Sequence, residues 1–84
     1  MDVRALATLR DEGVPVDDAR VQATVRRHHQ VVSLFWTPDA VSYRALGHMY
    51  VEDERFRQNI GAGDDELVNY LRDAMCVYAD TDLN

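Results

Sequence analysis

An apolar stripe at helical spacing dictates the fold class of this chain: Val21, Val25, His28, Val32 and Phe35 recur in alternating steps of four and three. A strand would alternate every second residue, whereas steps of three and four return to one face of a helix with 3.6 residues per turn. The stripe predicts an amphipathic helix opening at Asp17 or Asp18, either of which can cap it. Residues 2–12 repeat the pattern with Val3, Leu6 and Leu9, and Gly13 followed by Pro15 stops that shorter first helix.

Further along, Thr37 before Pro38 reads as an N-cap and a first-turn proline, because proline's missing N–H is not needed there. The helix predicted from it runs to about Val51. Val41, Ala45 and Met49 line one side and Tyr43, Leu46 and Tyr50 another, so it is expected to lie centrally, with Gly47 allowing a neighbour to approach closely. Asp53 can cap a short fourth helix carrying Phe56 and Ile60, ended by Gly61 and Gly63 in left-handed conformation. Asp64, Asp65 and Glu66 suit the positive N-terminal end of a fifth helix, whose buried stripe is Leu67, Leu71, Ala74 and Tyr78. The tail ADTDLN is expected to fray. With no alternating strand pattern and no internal repeat, the prediction is one all-α bundle of about five helices over residues 1–84.

Length and charge narrow the function classes. Eighty-four residues give one modest core, and 46% hydrophobic against 29% charged residues is a folding composition. A net charge of −6 argues against direct contact with nucleic acid, which needs clustered cations. All nine basic residues are Arg; residues 19–51 hold Arg20, Arg26, Arg27 and Arg44 against Asp39 alone, and residues 52–84 hold nine acids against three Arg. That asymmetry fits either two solvated faces or a cleft of mixed polarity. The single Cys76 excludes an intrachain disulfide and any CxxC motif, the opening residues lack a signal peptide's basic region, and no run spans a membrane; a cytoplasmic protein is expected.

No catalytic constellation emerges. Ser33 and Ser42 lack a nucleophile-elbow context, Cys76 reads as an inert helical thiol, and Asp64 and Asp65 read as helix-start residues. His28, His29 and His48 lack the spacing of a metal site, so neither metal nor cofactor is expected. His28 on the apolar stripe suits a hydrogen-bonded core group or a ligand contact. Seven aromatic residues (Phe35, Trp36, Tyr43, Tyr50, Phe56, Tyr70, Tyr78) fill a core or line a groove for a flat ligand.

The segment LGHMYVEDERFRQNI, residues 46–60, resembles the LGxMYVxDxRFxxNID stretch of TipAS-type antibiotic-recognition domains of MerR-family regulators. Leu71-Arg72-Asp73-Ala74 is similar to the family's AYLRDAI helix, and His28 with Phe35-Trp36-Thr37-Pro38 to its segment before an aromatic pair. The resemblance spans roughly residues 14–80. It implies a globin-like all-helical fold, no enzymatic activity, and binding of peptide-derived antibiotics, notably thiopeptides, in an aromatic and apolar cleft. In regulators of this kind, capture is relayed to an N-terminal winged-helix domain; free-standing versions sequester the drug. The chain has no room for that domain, so an excised effector domain or a free-standing binder is expected.

By this resemblance the candidate ligand contacts are His28, Phe35, Trp36, Tyr43, Tyr50 and Phe56, with stacking on Trp36 and Tyr43 and hydrogen bonds from His28 and Tyr50. One thiopeptide-binding member bonds its ligand through a cysteine just before the Leu-Gly of the motif. Ala45 stands there, which implies non-covalent binding, and Cys76 lies in another helix. The family's further N-terminal helices, which close over the cleft, are mostly absent from the match. A groove so opened would also suit a homodimer or a partner helix, and a helical interaction module is the competing function.

Overall fold

The computed structural model describes residues 3–83. Among these, α1 (Val3–Asp11), α2 (Ala19–Val32), α3 (Ala40–Glu52), the single turn α4 (Glu54–Phe56) and α5 (Asp65–Asp82) form an all-α bundle, with a π-helical turn at Arg57–Gly61 between the last two. Asp2, included in the predicted first helix, and Asn84 of the tail lie outside the described residues.

α2, α3, α4 and α5 each begin where an acid caps them. Asp18 accepts from the Arg20 amide at 2.9 Å, Asp39 from the Ser42 amide at 2.8 Å and Asp53 from the Arg55 amide at 2.9 Å. Asp64 accepts from the Leu67 amide at 3.1 Å. Such caps satisfy amides that have no partner within the helix, and each contributes about 1 kcal/mol.

α5 is the axis of the bundle. It pairs most extensively with α3, and α1, α2 and the π-helical turn also rest on it. Gly47 makes the α3–α5 approach: a Cβ there would lie 3.5 Å from both the Arg72 Cα and the Met75 Sδ, a close but ordinary contact. Leu6, Val21, Val25, Leu71 and Met75 are fully buried around this line. Burial of each such side chain stabilises by about 1.5–3 kcal/mol. The radius of gyration, 11.7 Å, matches the value of about 12 Å expected of a folded chain this long.

Four sequence expectations are corrected. α2 ends at Val32, where the Ser33 amide and hydroxyl both donate to the His29 carbonyl; the chain then turns tightly, so Phe35 leaves the predicted stripe and is 84% exposed. Asp39, not Thr37, caps α3, since its carboxylate reaches the Ser42 amide; Pro38 precedes the cap and is fully buried. The left-handed residue after the π-helical turn is Ala62, with φ of 49°, joined by Gly63 at 95°; Gly61 is buried inside that turn. Residues 79–82 of the tail stay helical, with Ala79 fully buried and Leu83 packed on the core.

α3 also departs from its expected central position. Tyr43, Gly47 and Tyr50 face inward, but Val41, Ala45 and Met49 face solvent, because no other element among the described residues covers that side. The charge asymmetry resolves into pairing: Arg44 meets Asp80 at 2.9 Å and Arg26 meets Asp82 at 3.4 Å, joining the basic middle to the acidic end.

Candidate functional site

Two aromatic groupings lie on opposite faces of α3. The inner one centres on His28, whose side chain is buried between α2 and α3. Its Nδ1 is 2.7 Å from the Tyr43 hydroxyl and its Nε2 is 3.2 Å from the Tyr50 hydroxyl, while the Tyr43 hydroxyl is 3.4 Å from the Val25 carbonyl. All three contacts are satisfied together in one arrangement. The Tyr50 O–H donates to Nε2, the Nδ1–H donates to the Tyr43 oxygen, and the Tyr43 O–H donates to Val25. Burial pushes His28 down from 6.5 to about 4 and pushes both phenols above their ordinary value. The ring is therefore neutral at pH 7.

Around this triad, Phe56 packs on Tyr50 with ring centroids 5.1 Å apart. His29 lies edge-on to Tyr43 at 5.0 Å, and its Nε2–H donates to the Pro38 carbonyl at 3.2 Å. Tyr70, outside the cluster, donates to the Val14 carbonyl at 2.6 Å. Every polar atom of the triad has a partner, so the cluster fixes α3 against α2.

The outer grouping is open. Trp36, 49% exposed, stands over a groove of about 340 Å³ with Ser42, Ala45, Leu46 and Met49. The groove shares Ala45 and Met49 with a second depression of about 600 Å³ that continues along α3 past His48 to Glu52 and Asp53. Leu34 and Phe35, in the turn before Trp36, and Val41, on α3, are further large exposed apolar side chains. An apolar surface of this kind is what a hydrophobic ligand or partner covers.

The six predicted contact residues therefore divide. Trp36 lines the open groove and Phe35 is exposed in the turn before it, whereas His28, Tyr43 and Tyr50 are buried and Phe56 packs on them. Tyr43 has no exposed face on which a ligand can stack, and both His28 nitrogens are occupied. The sequence reading gave Leu46 and Met49 no site role, and Ala45 entered the site only as the residue in place of a ligand-bonding cysteine. Their signal was the apolar surplus of α3, more than one buried face can use.

Elsewhere, Asp64 caps α5 and pairs with Arg10, which holds its carboxyl below the usual range, so α1 is tied to the start of α5. Cys76 is half-buried on α5, and burial pushes its thiol up, away from the reactive thiolate. Among the described residues, no three His, Cys, Asp or Glu are grouped to hold a metal ion, and no helix is long and apolar enough to cross a membrane.

Comparison with known proteins places these observations in a family. Residues 3–78 match the TipAS antibiotic-recognition domain. The HTH-type transcriptional regulator SkgA of Caulobacter vibrioides is 37% identical over 78 residues, which cover 88% of this chain and 30% of that protein. The HTH-type transcriptional activator TipA of Streptomyces coelicolor is 34% identical over 77 residues, 90% of this chain and 30% of that protein. The HTH-type transcriptional activator mta of Bacillus subtilis is 32% identical over 65 residues, 76% of this chain and 25% of that protein. The chain thus spans less than a third of the length of these relatives, and no solved structure matches it. It belongs to the TipAS antibiotic-recognition domain family.

Proposed function

We propose that this domain captures a peptide-derived antibiotic of the thiopeptide kind, or a similar hydrophobic multi-ring effector, on the groove between Trp36 and α3, without making or breaking a bond. It acts as the effector domain of a transcription activator or as a free-standing drug-sequestering protein. The observation that carries the reading is the half-exposed Trp36 indole above the apolar wall of Leu46 and Met49. Indole offers a large stacking face with a polar N–H, which suits azole and dehydroamino acid groups. Ala45, which lines the groove, supplies no nucleophile, in keeping with non-covalent capture.

In this reading, of the six residues proposed as contacts, Trp36 and Phe35 touch the ligand. His28, Tyr43, Tyr50 and Phe56 hold α3 in place beneath it. The competing role, a surface for a partner helix or a second copy, draws on the same exposure, with Leu34 and Phe35 at 80% and 84%.

Trp36 is the single tryptophan of the chain, so its fluorescence reports the groove directly. Titration with a thiopeptide is expected to change the emission saturably, and Met49→Glu, at an exposed position, is expected to abolish the change while helicity is kept. No saturable change, combined with molecular size that rises with protein concentration, would overturn ligand capture in favour of the interaction module.

A further inference from the structure

The groove has two chemically different ends. Trp36, Leu46 and Met49 make one end apolar, while the continuation past His48 finishes at Glu52 and Asp53. We propose that the site selects lipophilic cations: ligands whose rings lie against Trp36 and Met49 and whose positive group is held at the Glu52 end of α3. The proposal rests on the ligand-capture reading and specifies the ligand's charge.

Charge complementarity along the groove carries it. Asp53 is committed to Arg55, at 3.1 Å, and to capping the next helical turn. Glu52 is exposed and has no hydrogen-bond or ion-pair partner among the described residues. It occupies the last residue of α3, where the helix dipole adds partial negative charge and favours a cation.

Arg44 and Arg55 do not offset this. The Arg44 guanidinium is held by Asp80 on α5 at 2.9 Å, and Arg55 by Asp53, so neither is free to receive an anion. A net charge of −6 for the chain further raises the local concentration of cationic ligands. A ring system bearing a cation satisfies both ends of the groove at once. A neutral one leaves Glu52 unused, and an anionic one is repelled by it.

The test uses two ions of matched shape and apolarity, tetraphenylphosphonium and tetraphenylborate, with Trp36 emission as the readout and a thiopeptide titration alongside. Tetraphenylphosphonium is expected to bind about tenfold more tightly than tetraphenylborate, and Glu52→Gln to weaken the cation about fivefold, the scale of one exposed ion pair. Glu12→Gln, which changes the net charge equally on the turn after α1, outside the groove, is expected to leave the preference intact. Equal binding of the two ions, or equal effects of the two variants, would overturn the cation preference while a saturable thiopeptide response keeps the ligand-capture reading. Silence from all three probes would overturn both.

Discussion

Lowering the pH from 7 to 5 is expected to remove about 2 kcal/mol of stability through His28 alone. In the folded chain the imidazole is 7% exposed with both nitrogens bonded to phenols, and burial pushes it down from 6.5 to about 4. In the unfolded chain it takes up a proton near pH 6.5. Between those values the unfolded state binds more protons, so the contribution is complete above pH 6.5 and is lost as pH falls toward 4. A drop of about 2.5 pH units at 1.36 kcal/mol each gives about 3 kcal/mol in all, most of it gone by pH 5.

Against a total of about 4–12 kcal/mol for a domain this size, that loss is large. The carboxylates held below their usual range by caps and ion pairs, Asp18, Asp39, Asp53 and Asp64, act in the same direction but in the more acidic window below about pH 4. Urea unfolding followed by circular dichroism at pH 7, 6 and 5 measures the effect. His28→Gln, which keeps a neutral hydrogen-bonding side chain, is expected to be less stable at pH 7 and nearly flat across this range. If the variant loses as much stability as the parent between pH 7 and 5, the buried neutral imidazole is refuted.

Ala62 holds a left-handed φ of 49°, so Ala62→Gly is expected to raise stability by about 1 kcal/mol, a gain of about 4–8 °C in a thermal melt. Gly61→Ala is expected to destabilise by about 1–3 kcal/mol in urea unfolding, because its Cβ would sit 2.7 Å from the Val68 Cγ2; adding Val68→Ala should lessen the cost of the Gly61 change. Asp64→Ala is expected to cost about 1 kcal/mol as a lost cap, while Asp64→Asn keeps the cap acceptor and loses the charge facing Arg10, so its smaller deficit is expected to shrink with added salt.

The helices were legible because their signals are local: each buried stripe repeats every three or four residues, and the starts of α2, α4 and α5 carry the acids that cap them. Helix ends were less legible. Whether the Val21 stripe reaches Phe35 depends on backbone bonds from residues 33–36 that close a turn, and no apolar pattern records them. The choice between Thr37 and Asp39 as cap likewise turns on which side chain reaches the Ser42 amide. Within the site, the pattern marked His28, Tyr43 and Tyr50 as apolar-face residues with polar tips, but not that those tips bond to one another. The groove was the least legible part. It arises where α3 has an apolar side that no other element among the described residues covers, and only the packing of α5, and of the α2 side chains His28 and His29, on its opposite side determines which residues remain exposed.

A two-dimensional amide NMR titration with a thiopeptide tests the ligand face most directly. Saturable shifts of the Trp36 indole and of Ser42, Ala45, Leu46 and Met49, with the hydrogen-bonded signals of His28, Tyr43 and Tyr50 kept in place, are the predicted result. Largest shifts on His28, Tyr43 and Tyr50, with loss of their hydrogen-bonded signals, would contradict it by showing that the ligand enters the buried cluster instead of resting on the outer face of α3.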